Sequence, residues 1–110
     1  VEAVILPSDS LLVSHGAKAI EVCNAERVPT IAALEPFVLE LGALFGLTTS
    51  YEEVGKAAAH LADRILRGED PGRIPLVYVR PAYVVNLATA ARIGVTLPPE
   101  IVESARRVVR

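Results

Sequence analysis

Five side chains stand just after apolar runs and carry groups able to hold a small polar molecule: Ser8, Asp9, Glu35, Ser50 and Tyr51. A carboxylate accepts from an ammonium or a hydroxyl, the free amides at a helix start hold a carboxylate, and a tyrosine ring offers a flat apolar wall. Each also has a purely structural reading. Asp9 precedes a helical pattern and is a natural N-cap. Ser50 with Glu53 has the spacing of a capping box. Glu35 before Pro36 marks a helix start, and Tyr51 suits the margin of a core. The five are expected to act as a ligand-binding cluster, with no catalytic and no metal-binding residue.

Other chemistry finds less support. His15 and His60 lie far apart, each on a helical stretch with no acidic or thiol neighbour at ligand spacing, which argues against a metal site. Cys23, the single cysteine, falls on an apolar helical stripe and reads as a small buried hydrophobe; no internal disulfide is possible. The first strand is not followed by Gly-x-Gly-x-x-Gly, so the usual dinucleotide phosphate turn is missing. A Gly-x-Ser-x-Gly elbow is missing as well. No cofactor is expected. Arg106, Arg107 and Arg110 read as the solvated face and last turn of a terminal helix.

The elements that must position these residues follow from hydrophobic periodicity. Residues 1–6 form an unbroken apolar run closed by Pro7, read as a strand buried on both faces. A helix over 11–27 turns Leu12, Gly16, Ile20 and Cys23 inward, and Val28-Pro29 ends it. Residues 30–34 are a second strand, a short helix runs from Glu35-Pro36 to Gly42, and 43–47 are a third strand. The strongest pattern is the helix over 51–67, with a buried stripe of Val54, Ala57, Ala58, Leu61, Ala62, Ile65 and Leu66. Glu52 and Lys56 are spaced for a surface pair, Gly68 for a left-handed cap, and Asp70-Pro71-Gly72 for a turn.

Residues 76–85 read as an extended segment that Pro81 confines to an edge or to a change of partner. Asn86 caps a helix over 87–93 closed by Gly94. Pro99 opens a last helix with Ile101, Val102, Ala105, Val108 and Val109 inward. Strands alternating with helices specify a three-layer α/β/α parallel-sheet domain. At 110 residues the chain buries roughly 65% of its unfolded surface. Its net charge of −2 and its three tyrosines and two phenylalanines provide no phosphate-tracking surface, so no nucleic-acid partner is expected. Every apolar run stops well short of the roughly 20 residues of a membrane span. The start at Val1, already inside a strand, suggests a piece of a longer protein.

The segment RPAYVVNLATAARIGVTLPPEI, a strand running into Asn86, an Ala-rich helix ending at Gly94 and a Pro-Pro step, resembles the C-terminal end of ABC-transporter substrate-binding proteins with a type I periplasmic-binding fold. Three further units in the same order resemble that family: VEAVILPSDSLLV, VPTIAALEPFVLELGAL and TSYEEVGKAAAHLADRILRGEDPGRIP. Ser50 departs from the Asp often found there, and Tyr83 and Val84 replace charged residues often found near the hinge.

The resemblance implies that residues 1–110 are the C-terminal part of a two-lobed solute-binding protein. Residues 1–34 would lie in one lobe, 51–68 in the other, and the chain from Leu76 would cross back. It implies a small-molecule solute such as an amino acid, an ABC permease as partner, and a periplasmic or extracytoplasmic address (lipoprotein or secreted). It points to the same loops as solute contacts, and implies no enzymatic activity. A homodimer that covers open sheet edges is a further expectation. Two alternatives are a receiver-like module with Asp9 as phosphoacceptor, which needs more acidic groups around a Mg²⁺, and the effector lobe of a transcription regulator.

Overall fold

Three short parallel strands, β1 (Val4–Leu6), β2 (Thr30–Ala32) and β3 (Phe45–Thr48), carry the fold, joined by helices α1 (Ser10–Ala25) and α2 (Glu35–Leu39). The computed structural model describes all of residues 1–110. After β3 the chain leaves the sheet through α3 (Tyr51–Leu66) and a single 3-10 turn at Pro71–Arg73. It re-enters as β4 (Ala82–Asn86), and α4 (Leu87–Ile93), α5 (Pro99–Glu103) and β5 (Arg107–Val109) follow. The strand order is β1-β2-β3-β4-β5; β4 runs antiparallel to β3, and β5 runs parallel to β4. The result is a mostly parallel five-stranded sheet flanked by helices, the expected α/β class.

The chain forms two compact units. Val1–Thr48 with Ala82–Arg110 make the first, and Thr49–Pro81 make the second. In the first, Leu6, Ala32, Gly46 and Val84 lie in register across four strands and so share one face. Ile20 of α1 and Phe37 and Val38 of α2 close over that row, with Ala43. Gly46 is required there, because a Cβ would sit 2.7 Å from the carbonyl oxygen of Ala32. A second cluster joins Leu44, Ala90 and Ile93 to Phe45, Val95 and Leu97.

Local chemistry sets the element ends. Asp9 Oδ1 accepts from the amides of Leu11 at 2.8 Å and Leu12 at 3.3 Å and starts α1. Asn86 Oδ1 accepts from Thr89 N at 2.9 Å and starts α4. Gly94 ends α4 in the left-handed region at φ 76°. In the second unit Ser50 Oγ accepts from Glu53 N at 3.4 Å and starts α3. Beyond the end of that helix Gly68 takes φ 94° and Asp70 caps the 3-10 turn.

Four expectations change. The first strand is not buried on both faces: β1 is an edge strand, Leu6 faces the core, and Ile5, on the opposite face, is 71% exposed. Residues 76–85 are not an edge strand. Pairing begins after Pro81, at Ala82, where every residue has an amide to donate, and β4 is then central with partners on both sides. The stripe on α3 is not buried: no residue of that helix is, and Leu66 is 87% exposed. The terminal helix stops at Glu103. Ser104 Oγ bonds back to the carbonyls of Glu100 and Ile101, and Arg107, Val108 and Val109 add to the free side of β4 instead.

Candidate functional site

Parallel strands deliver their carboxyl ends to one edge of a sheet, and in open α/β folds that edge takes the ligand. In the first unit β1, β2 and β3 end there, and the reversed strands β4 and β5 begin there. Ser8 and Asp9 follow β1, and Glu35 follows β2, so all three lie at this edge. Ser8 is exposed. Asp9 is exposed too, with Oδ1 occupied by its helix cap. Ser50 and Tyr51 belong to the second unit. There Ser50 is half-buried and caps α3, while the Tyr51 side chain is largely free.

The residue that sequence reading missed is Arg106. Expected on the solvated face of a helix, it lies instead in the turn into β5, where its amide donates to Tyr83 O at 2.8 Å. That pairing brings its side chain to the carboxyl edge. Arg106 Nη2 donates to Glu35 Oε2 at 3.0 Å and to Thr48 Oγ1 at 3.2 Å, and Nη1 reaches Thr48 O at 3.5 Å. The Arg106 and Glu35 side chains are only 24% and 18% exposed. Removing one partner of a pair this far withdrawn from water leaves the other's charge stranded. A signal was present: Arg106 stands two residues before the β-branched pair Val108-Val109, residue types that favour strand over helix.

The opposite edge of the same unit has a different character. Asn24 Nδ2 and Thr89 Oγ1 both donate to Gly42 O at 3.0 Å, stapling the turn before β3 to α1 and α4. Gly42 stands at φ 81° to make that turn. A hollow of about 490 Å³ beside it is lined by Glu21, Asn24, Arg27, Leu41 and Arg92. It lies at the edge opposite to the one that holds Ser8, Asp9 and Glu35. In the second unit a hollow of about 460 Å³ is lined by Glu53, Lys56, His60 and residues 78–80.

The remaining chemistry-bearing groups are apart from one another. His15 makes one contact, Nδ1 to Leu11 O at 3.2 Å, His60 is exposed, and Cys23 is a partly buried free thiol. No three His, Cys, Asp or Glu side chains converge as metal ligands would. A receiver-like phosphoacceptor needs such an acidic cluster around Asp9. The shifted titrating groups all belong to exposed ion pairs of the second unit. The Lys56 ammonium holds the Glu52 carboxyl below its ordinary value by hydrogen bonding, and Glu52 raises Lys56 in turn. Arg64 does the same for Glu69.

The family profile described as ABC transporter substrate binding protein matches residues 1–109. A tyrosine-binding protein of Clostridioides difficile (strain R20291) is 34% identical over 76 residues, which are 69% of this chain and 22% of that protein. Among solved structures, an ABC domain in complex with L-Trp from Streptococcus pneumoniae is similar at a TM-score of 0.83 and 23% identity, over 99% of this chain and 37% of that one. A substrate-binding protein with adhesive properties from Clostridium difficile, in its ligand-free open form, is similar at a TM-score of 0.74 and 26% identity, over 96% and 36%. The chain thus spans little more than a third of the solved structures it resembles. With the mostly parallel sheet and its polar carboxyl edge, the match over nearly every residue makes the chain a member of the ABC transporter substrate-binding protein family.

Proposed function

We propose that this chain is the C-terminal part of the solute-binding component of an ABC importer, and that its solute is an amino acid or a similar small metabolite. The observation that carries this reading is the family match across residues 1–109. The relatives named for tyrosine and for L-Trp supply the solute class. The contacts from the first unit are assigned to Ser8, Asp9 and Glu35, with Arg106 added, and those from the second to Ser50 and Tyr51. Asp9 keeps one carboxylate oxygen beyond its cap for this purpose, since only Oδ1 is engaged. The protein works outside the cytoplasm and delivers its solute to a membrane permease. No helix of the chain is itself long and apolar enough to cross a membrane.

Isothermal titration of the protein, with any residues that flank Val1–Arg110 in its coding sequence, against the standard amino acids tests the reading. Saturable one-to-one binding of at least one of them, with an aromatic amino acid among the tightest, is expected. No heat from any amino acid overturns it. The isolated 110 residues are expected to bind at least 10-fold more weakly, because a clamp that closes from two sides loses most of its contacts with either side removed.

A further inference from the structure

We propose that the Glu35–Arg106 pair reads the two charges of a free amino acid, its ammonium and its carboxylate, at the carboxyl edge of the sheet. The inference rests on the solute-binding reading above and names the recognition chemistry within it. The two side chains are joined through one atom pair, Arg106 Nη2 to Glu35 Oε2 at 3.0 Å. Nη2 also holds Thr48 Oγ1, and Nη1 is directed at Thr48 O. Glu35 Oε1 and Arg106 Nε make no hydrogen bond within the protein, and neither is sealed from solvent.

Each partner therefore keeps one directional, charged group for something outside the fold, in a setting largely withdrawn from water. A carboxylate with one oxygen committed still accepts from an ammonium through the other. A guanidinium with its Nη atoms committed still donates Nε–H to a carboxylate oxygen. In a free amino acid both charges hang from one carbon, so they lie about as close together as the charges of Glu35 and Arg106. Set against the pair with opposite signs facing, they complete a ring of four alternating charges, each with an opposite neighbour on both sides.

A one-ended ligand cannot do this. An amine without a carboxylate satisfies Glu35 but brings a positive charge beside Arg106 with nothing to offset it, and an acid without an amine meets the converse beside Glu35. Thr48 holds the Arg106 guanidinium through its hydroxyl and its carbonyl, so the arginine is not free to turn away from the mismatch. Such a site discriminates by leaving the wrong ligand with an unpaired charge.

The test titrates the flanked protein with an aromatic amino acid, its decarboxylated amine and its deaminated acid, for instance tyrosine, tyramine and hydroxyphenylpropionate. The wild type is expected to prefer the amino acid over each analogue by about 10-fold or more. Glu35→Gln, which preserves shape, is expected to erase most of the preference over the deaminated acid. Arg106→Gln is expected to erase most of the preference over the amine, and Arg106→Lys to restore part of it. If Arg106→Gln does not fold, Glu35→Gln decides alone. Amino-acid binding with both preferences unchanged in the variants overturns this inference and leaves solute binding standing. A wild type silent to every amino acid overturns the solute reading, and this one with it.

Discussion

Asn86 joins three elements through one side chain. It is the last residue of β4, its Oδ1 accepts from Thr89 N to start α4, and its Nδ2 donates to Val38 O of α2 at 3.0 Å, all while 5% exposed. Asn86→Ala leaves a buried carbonyl and a helix-start amide without partners, which costs about 2–4 kcal/mol. Urea unfolding should show this as a lower midpoint at an unchanged slope. A loss below about 0.5 kcal/mol would mean that water replaces the side chain at both groups. Arg106 makes the same point at the other edge. Its role is set by the three protein atoms it holds, Glu35 Oε2, Thr48 Oγ1 and Thr48 O, and not by its neighbours in sequence.

At the scale of elements, α1 and α3 are the instructive contrast. Both are 16-residue helices with an N-cap, and both carry an apolar stripe. Only α1 buries it: Ile20 is fully enclosed, whereas Leu66 on α3 is 87% exposed. Ile20→Ala is expected to cost about 2–5 kcal/mol, the combined loss of burial and the cavity left behind. Leu66→Ala is expected to stay within about 0.5 kcal/mol in the 110-residue chain. Thermal or urea unfolding of the two variants side by side checks this, and a Leu66→Ala loss above about 1.5 kcal/mol would show that the stripe is covered in solution. What α3 does have is local: its cap, its charged first turn and exposed pairs such as Lys56 with Glu52 at 2.7 Å. Pairs this exposed are screened by solvent and add little to stability.

At the scale of the whole molecule, every buried residue belongs to the first unit and none to Thr49–Pro81. Burial sets the free energy of opening, so stability cannot be uniform along this chain. Hydrogen exchange in the 110-residue chain is expected to protect the amides of β2, β3 and β4 roughly 100-fold or more above those of α3, whose exchange should approach that of an isolated helix. Equal protection in both would refute the assignment of the stable core to the first unit. Residues 49–81 also explain the one antiparallel pairing in the sheet. The chain leaves at the carboxyl end of β3 and returns at that same end, so β4 has to run back beside it.

Period, caps and turn residues sufficed for the existence and approximate bounds of α1 to α4. Asp9, Ser50, Asn86 and Gly94 work through atoms within a few residues, and such interactions are written in the local sequence. The α/β class and the edge holding Ser8, Asp9 and Glu35 were legible for the same reason: strands that alternate with helices run parallel and end together. Three outcomes needed the folded chain: the exposure of Ile5 and Leu66, the strand at Arg107–Val109, and the seat of Arg106 beside Glu35. An apolar stripe does not say whether anything covers it, and a Val-Val pair is compatible with helix until a free strand edge competes for it. Arg106 and Glu35 are 71 residues apart, and only the pairing of β5 beside β4 closes that distance.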